Sequence, residues 1–493
     1  MMTDIDERRH RAILQRIARR AMQERGLLPD FSREVIDELE GISGPATGDA
    51  ISTRDLTDLP WCSIDNDDSL DLDQLTVAEP LPDGPVKVLV AIADVDALVR
   101  KESAIDDHAR HNTTSVYTIA ETFSMLPEKL STDLTSLNFQ SDRQAIVIEM
   151  VFALDGLLQR SALYHATVRN HAKLAYNSVA AWLQGQGSMP SAIASVNGLD
   201  ENLRLQDRMA QNLKSLRHLH GALDLETIEA RPIFDQDALK AFERDTPNRA
   251  KDIIEDFMIA ANGVTVRFLT TNRFPSLRRV LRSPERWQRI VDFASWRGES
   301  LPPEPDSRAL EKFLLKQKHA DPIGFPDLSL TIIKLIGRGE YVLNLPGKTP
   351  PGHFGLAVKA YTHSTAPNRR FPDLITQRLI KAVLSGDPVP YREGELRALA
   401  AHCTEKENDA EKVERRLQKS AAALLLESQI GQRFDAIVTG ASNKGTWVRL
   451  LPLPVEGKLV SGCRGLDVGD RVQVALIGTD VERGFIDFAK AGP

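Results

Sequence analysis

The sequence predicts an α+β protein of several domains. The prediction rests on the length of 493 residues, on strand-like stretches interleaved with long helical ones, and on a change of character after residue 430. At roughly 100–200 residues per domain, about three domains are expected. The composition places their boundaries at 1–55, 56–430 and 431–493.

Residues 5–25 put Ile13, Ile17 and Ala21 beside Leu14, Ala18 and Met22 at helical spacing, with Gly26 as a fitting C-cap. Ser32–Glu40 reads as a second short helix, capped by Ser32 and stopped by Gly41. Two helices with a tight link fit either a helix-turn-helix or a plain packing arm. Gly41–Ser52 reads as a linker. Within 56–430, Val86–Ala93, Ala145–Leu154 and Tyr341–Leu345 are rich in β-formers, whereas Leu174–Leu183 and Ile253–Leu269 have helical periodicity. Pro372–Leu384 opens on a first-turn proline and closes near Gly386, the asymmetry of a helix. Glu405–Gln429 reads as one long amphipathic helix. Strands broken by such helices predict a mixed sheet. After residue 430 come five short β runs, Phe434–Val438, Thr446–Leu450, Lys458–Val460, Arg471–Ile477 and Gly484–Phe488. Separated by turn residues, they predict a small five-stranded OB barrel.

An apolar share of 42% excludes a wholly disordered chain. Three widely spaced cysteines, Cys62, Cys403 and Cys463, form no CxxC pair and suit a reducing compartment. No apolar run approaches the ~18 residues of a membrane span, and the polar start is no signal peptide. A cytoplasmic monomer without a membrane partner is expected.

The net charge of −7 argues against a protein that merely coats nucleic acid. Its distribution says more. Trp61–Val86 holds seven acids (Asp65, Asp67, Asp68, Asp71, Asp73, Glu79, Asp83) and no Lys or Arg, which equals the whole chain's excess of acids. Seven arginines lie in the first 30 residues and seven more from Arg267 to Arg289. An acidic knot amid basic stripes fits a metal site serving a polyanion, and it fits solvated surface as well.

The knot is centred on Ser63–Leu75. Asp71 and Asp73 share one face of an extended chain, and Asp65 can fold back towards them across a loop. Carboxylates brought together repel unless a cation neutralises them. Hard oxygen donors suit Mg²⁺, Mn²⁺ or Ca²⁺. An EF-hand fits poorly, because Leu70 occupies its glycine position and Thr76 its bidentate glutamate. Further along, Arg369 and Arg370 immediately precede the helix opened by Pro372, where free N–H groups favour an anion. Their forks suit phosphate, although a solvated pair bonded to Asp373 is the alternative. In the barrel, Trp447 and Arg449 lie two apart on one strand face with Lys444 nearby, an arrangement that suits a single nucleic-acid strand; a buried Trp fits equally. His218 and His220 lack a third ligand and read as helix-surface residues.

The Ser63–Leu75 segment resembles the Asp-x5-Asp-x-Asp-Asp signature of the RNase II/RNase R exoribonucleases, whose catalytic region is the RNB domain. Further blocks follow in family order: ValAlaIleAlaAsp ending at Asp94, SerValTyr at Tyr117, MetLeuPro at Pro127, LysLeuAlaTyr at Tyr176, and GlyAlaLeuAspLeu at Leu225. The series closes with the helix block around Glu255 and Asn262, HisPheGlyLeu at Leu356, and AlaTyrThrHisSerThrAlaProAsnArg at Arg369. The resemblance implies hydrolysis of single-stranded RNA from the 3′ end to nucleoside 5′-monophosphates, in RNA degradation or processing. It implies Mg²⁺, with Mn²⁺ as the alternative, held by Asp65, Asp71 and Asp73.

Under the same resemblance Asp73 and Arg369 are catalytic. The family's fourth aspartate falls on Gln74, whose amide can ligate a hard cation but brings no charge. Asp67 or Asp68 could compensate, and a catalytically impaired RNA-binding or regulatory protein is the alternative. Tyr117 is expected to stack on the 3′-terminal base, Tyr176 and Glu255 to read ribose hydroxyls, and Arg370 to contact RNA. Lys251, one turn before Glu255, could instead pair with it. Leu225 stands where the family has a second clamping aromatic. The barrel is similar to the RNA-binding OB module of the ribosomal S-one type, with Trp447 and Arg449 as its RNA contacts. Family members typically carry two cold-shock OB domains at the N-terminus, whereas residues 1–55 read as helical.

Overall fold

The computed structural model describes residues 10–48, 53–227, 229–245, 247–348, 352–442, 445–451, 453 and 455–491. Helix α1 (His10–Glu24) buries Leu14, Ile17, Ala18, Ala21 and Met22, the stripe its spacing predicts. Residues 5–9 of that expected helix lie outside the described residues. Helix α2 (Arg33–Glu40) starts where the Ser32 hydroxyl accepts from the Val35 amide, and it stops at Gly41.

The main sheet has seven strands. In chain order they are β1 (Arg54–Asp55), β2 (Cys62–Asp65), β3 (Gln74–Pro80), β4 (Val86–Ala93), β7 (Asp142–Phe152), β8 (Leu158–Arg169) and β9 (Ala172–Ala175). Side by side the order is β1-β8-β7-β4-β3-β2-β9. The β1–β8 and β2–β9 pairs are parallel and the others antiparallel, so the sheet is mixed. After β4 come helix α3 (Ala104–Asn112) and a two-residue ribbon of β5 (Val116–Tyr117) and β6 (Thr122–Phe123). Leu174, expected to be helical, pairs with Ile64 in the parallel β2–β9 ladder, and helix α4 (Tyr176–Leu183) begins two residues later. Tertiary pairing overrides local helical periodicity there.

Helix α5 (Leu199–Leu219), a hairpin of β10 (Glu229–Asp235) and β11 (Ala238–Asp245), and helix α6 (Arg249–Thr271) follow. Phe257, Ala261 and Val264 of α6 pack into the core beneath the sheet. The ribbon of β12 (Ser276–Val280) and β13 (Glu340–Asn344) brackets helices α7 (Trp287–Trp296), α8 (Ser307–Ala320) and α9 (Phe325–Ile336), which have their own core around Trp287, Phe313 and Phe325. Helix α10 (Phe371–Ser385) carries proline in its first turn and Gly386 at its C-cap.

Helix α11 (Glu393–Leu426) has 34 residues, so it starts twelve residues before the expected Glu405 and spans about 50 Å. Along it pack the apolar residues of α1, against Ala410, Val413 and Leu417. Its last turn enters the barrel core through Ala422, Ala423 and Leu426. Helix α2 attaches elsewhere: Val35 joins the main core, beside α3. The two N-terminal helices therefore lie on different neighbours, the arrangement of a packing arm. The barrel closes in the order β14-β15-β16-β18-β17, from strands β14 (Arg433–Ser442), β15 (Gly445–Leu450), β16 (Glu456–Ser461), β17 (Arg471–Asp480) and β18 (Phe485–Lys490). Among the described residues no helix is long and apolar enough to cross a membrane.

Candidate active site

The acidic loop runs from the end of β2 to the start of β3, and the chain near Ser136 pins it. The Ser136 hydroxyl accepts from the Leu72 amide (3.0 Å) and donates to the Leu70 carbonyl (2.8 Å). The Leu137 amide donates to the Leu72 carbonyl (2.9 Å), and the Ala93 amide to the Asp73 carbonyl (3.0 Å). The β3–β4 ladder thus continues one residue past the strand and fixes the Asp73 backbone.

A second loop arrives at Asp73 from the start of α10. Asp373 is fully buried and accepts from the Thr365 amide (2.7 Å), the Ala366 amide (2.9 Å) and Arg370 Nη2 (2.8 Å). This turn presents the next donors to Asp73: the Asn368 amide to Oδ1 (2.9 Å) and Arg369 Nε to Oδ2 (3.2 Å). Asp73 is buried, whereas the Arg369 side chain remains 42% exposed. Burial pushes the Asp73 carboxyl up to about 7 and the charge of Asp71 adds to this, while Arg369 and the Asn368 amide pull it down. Burial also works against the Arg369 charge, but Asp73, Asp71 and Asp65 outweigh it and hold that guanidinium firmly charged.

Asp71 meets the third piece. The Tyr117 hydroxyl donates to Asp71 Oδ2 (2.9 Å), and the Tyr117 amide is held by Glu414 of α11 (2.9 Å). Tyr117 is 43% exposed and borders a cavity of about 710 Å³, whose wall also includes Asp68, Asp71, Asn177, Phe234 and Lys251. Asp65 ends β2 and turns its carboxylate to the Asn66 amide (2.7 Å) and the Ser69 hydroxyl (2.9 Å). Gln74 opens β3 as a buried residue opposite Ile92.

Among the described residues, no three His, Cys, Asp or Glu side chains converge as a ready-made ion cage. Mg²⁺ does not require one, because it is usually held by one or two carboxylates, with water and substrate phosphate completing its shell. Asp71 and Asp73 lie close enough to repel, and their donors are hard oxygens. The donor set fits a hard divalent cation.

The remaining expected residues divide. Tyr176 starts α4 close enough to Asp65 for its hydroxyl pKa to rise, chiefly through burial and secondly through that charge. Lys251 sits 6.0 Å from the centroid of its ring. Glu255 is 60% exposed and lies 3.6 Å from Arg217, where the alternative reading had expected Lys251. Arg370 is engaged internally with Asp373. In the barrel, Trp447 is half-buried, and a side chain added at Gly440 would sit 3.5 Å from its ring. Arg449, expected to contact RNA, gives Nε and Nη2 to the two oxygens of Asp327 on α9 (2.9 and 2.7 Å). Its fork therefore joins barrel to helix. Lys444 lies outside the described residues.

Sequence reasoning missed Asn368, Glu414 and Phe234. Asn368 and Glu414 act on the site through a backbone amide, given or held, which no side-chain pattern signals. Phe234 lies on a hairpin whose turn, Gln236-Asp237, lacks the Asn-Gly or Asp-Gly signature.

With this geometry established, comparison with known proteins decides the family. A profile of the RNB domain matches residues 53–386, and one of the RNase II-type exonuclease C-terminal S1 domain matches residues 432–491. This chain belongs to the RNB family. Ribonuclease R of Aquifex aeolicus is 30% identical over 493 residues, covering 93% of this chain and 68% of that protein. The chain spans about half to two thirds of the length of the curated relatives it matches. The fold is similar to Mycoplasma genitalium RNase R in complex with ribose-methylated single-stranded RNA, with TM-score 0.86 and 22% identity over 97% of this chain and 78% of that one. It is also similar to yeast Ssd1, described as a pseudonuclease, with TM-score 0.70 and 17% identity over 95% and 57% of the two chains.

Proposed function

We propose that this RNB-family chain is a 3′→5′ exoribonuclease that hydrolyses single-stranded RNA to nucleoside 5′-monophosphates. One observation carries the reading: Asp71, Asp73, Tyr117 and Arg369 come from three distant segments and are joined by direct contacts, with Asp71 and Tyr117 on the wall of one cavity. Asp71 and Asp73 would hold Mg²⁺, with Asp65 near them and Gln74 adding a neutral amide. When bound, the cation supplies charge neutralisation at the scissile phosphate and a lower pKa for the attacking water.

The chain's own groups do the rest. Arg369 is half-exposed and oriented by Asp73, so its free nitrogens can meet phosphate charge as it develops. Asp73 is held in position by the Asn368 amide. Tyr117 offers an exposed ring beside those carboxylates, and stacking on a base tolerates any sequence. Tyr176, near enough to Asp65 to feel its charge, would meet the ribose, the feature that separates RNA from DNA.

A 5′-labelled single-stranded RNA, incubated with Mg²⁺ and with or without chelator, tests this. Wild type is expected to give a descending ladder or a short end product that chelator abolishes, and Asp73→Asn to lower the rate by about 10²–10³-fold. The second reading, an RNA-binding protein with impaired catalysis, is favoured by Gln74 in place of a charged ligand. It predicts intact RNA that is nevertheless retarded on a gel, and that result would displace the first reading.

A further inference from the structure

The cavity beside Asp71 has two aromatic side chains among the described residues that line it, Tyr117 and Phe234. They come from separate hairpins. Tyr117 lies on the β5–β6 ribbon, and Phe234 on β10, where the ladder with β11 shifts register beside it (Ile233 opposite Ala241, Phe234 opposite Leu239). Such a bulge re-aims the side chain next to it. Pro232 lines the same cavity two residues earlier, so this strand contributes an apolar wall of two side chains. Leu225 is absent from that lining and packs against the core of α7–α9 instead.

Both hairpins are clipped by one residue. Arg11, in the first turn of α1, donates from Nε to Asp237 Oδ1 (3.2 Å) and from Nη1 to the Ala120 carbonyl (3.5 Å). Its amide reaches the Asp237 carbonyl (3.2 Å). The guanidinium also lies over the Phe234 ring, 4.3 Å from the centroid, a cation–π contact that helps hold the ring in place, while the ring packs against the core shared with α1 and still lines the cavity. Asp237 belongs to the β10–β11 turn and Ala120 to the β5–β6 turn, so Arg11 sets the separation of the two aromatic walls.

We propose that Phe234 forms the second wall of the base slot begun by Tyr117, and that Arg11 fixes its width. This rests on the reading of the cavity as the site for the 3′ end of RNA. It gives α1 a role in substrate binding through the hairpins it joins. A leucine at 234 would preserve the apolar anchor to α1 while removing the π-face, which separates stacking from packing.

The test uses the full chain carrying Asp73→Asn, so that RNA survives. The probe is a single-stranded RNA with 2-aminopurine at its 3′ end, read by its own fluorescence and by anisotropy. Phe234→Leu is expected to weaken binding about tenfold and to relieve quenching of the terminal 2-aminopurine, and Phe234→Trp to restore both. An RNA whose 3′-terminal nucleotides lack bases should bind both variants alike. If Phe234→Leu matches its parent, or loses as much affinity for the abasic RNA as for the normal one, Phe234 is only an anchor and the proposal is overturned. Should Phe234→Leu melt early, Arg11→Gln carries the same comparison, with a base-dependent loss expected and a base-independent one overturning it. A parent that binds no RNA would remove the proposed function as well. A parent weakened by Tyr117→Leu but indifferent to Phe234→Leu would remove this inference alone.

Discussion

Two regions of this molecule place an arginine and an aromatic residue close together, and they use them differently. At the acidic loop, Arg369 keeps 42% of its side chain exposed although it touches the buried Asp73, and Tyr117 is tied to Asp71 by a single hydroxyl bond. In the barrel, Arg449 and Asp327 close a two-bond fork with side chains only 13% and 11% exposed. The first arrangement leaves donors for an incoming phosphate. The second spends them on the joint between domains. Residue type and spacing do not separate the two cases; the partner reached by folding does.

The largest effect that would sharpen this contrast is Arg369→Lys. Losing the fork at developing phosphate charge is expected to lower kcat about 10²–10³-fold, with little change in Tm, as measured by single-turnover cleavage and thermal denaturation. Arg449→Ala should show the opposite pattern. It leaves Asp327 buried and unpaired, at a cost of about 3 kcal/mol in stability, and Tm should fall by several degrees. The slope of RNA affinity against salt should stay unchanged, whereas a lost phosphate contact would lower it by about one. An unchanged Tm with a reduced slope would break the comparison.

Tyr117→Leu comes next, with an expected loss of about 1–3 kcal/mol in RNA affinity, measured by anisotropy; no loss would leave Tyr117 as a support for Asp71 alone. The smallest effect lies outside both regions. His218 Nδ1 is 2.8 Å from Glu311, whose hydrogen bond raises the imidazole pKa against the opposing effect of burial. The folded pKa exceeds the unfolded one, so this stabilisation is full below about pH 6.5 and is lost as pH rises through the folded value. His218→Gln should therefore cost more stability at pH 5.5 than at pH 8.5, as measured by denaturant unfolding at the two pH values. An equal loss at both would show a pH-independent contact.

Much of the frame was legible because local rules govern it. The Ser32 cap, the Gly41 stop and the first-turn proline of α10 are one-residue signals, and strand β4 is one short β-rich run; the structure repeats all of them. Leu174 was misread because its ladder partner, Ile64, lies more than a hundred positions away. At the site, Asp71 and Asp73 announced themselves by spacing, and Arg369 by its place before a helix.

Sequence by itself determined the acidic knot, the barrel and the arginine that precedes α10, because each is written in residues close along the chain. Tertiary structure alone decided which groups meet. It brought the Asn368 amide to Asp73, Glu414 to the Tyr117 backbone, Phe234 into the cavity and Asp327 to Arg449. The three hydrogen-bonded contacts among them cross 295, 297 and 122 positions of chain. Their physical basis is the burial of α1, α6 and α11 in shared cores, which fixes the loops between them and so selects the partner of each charge.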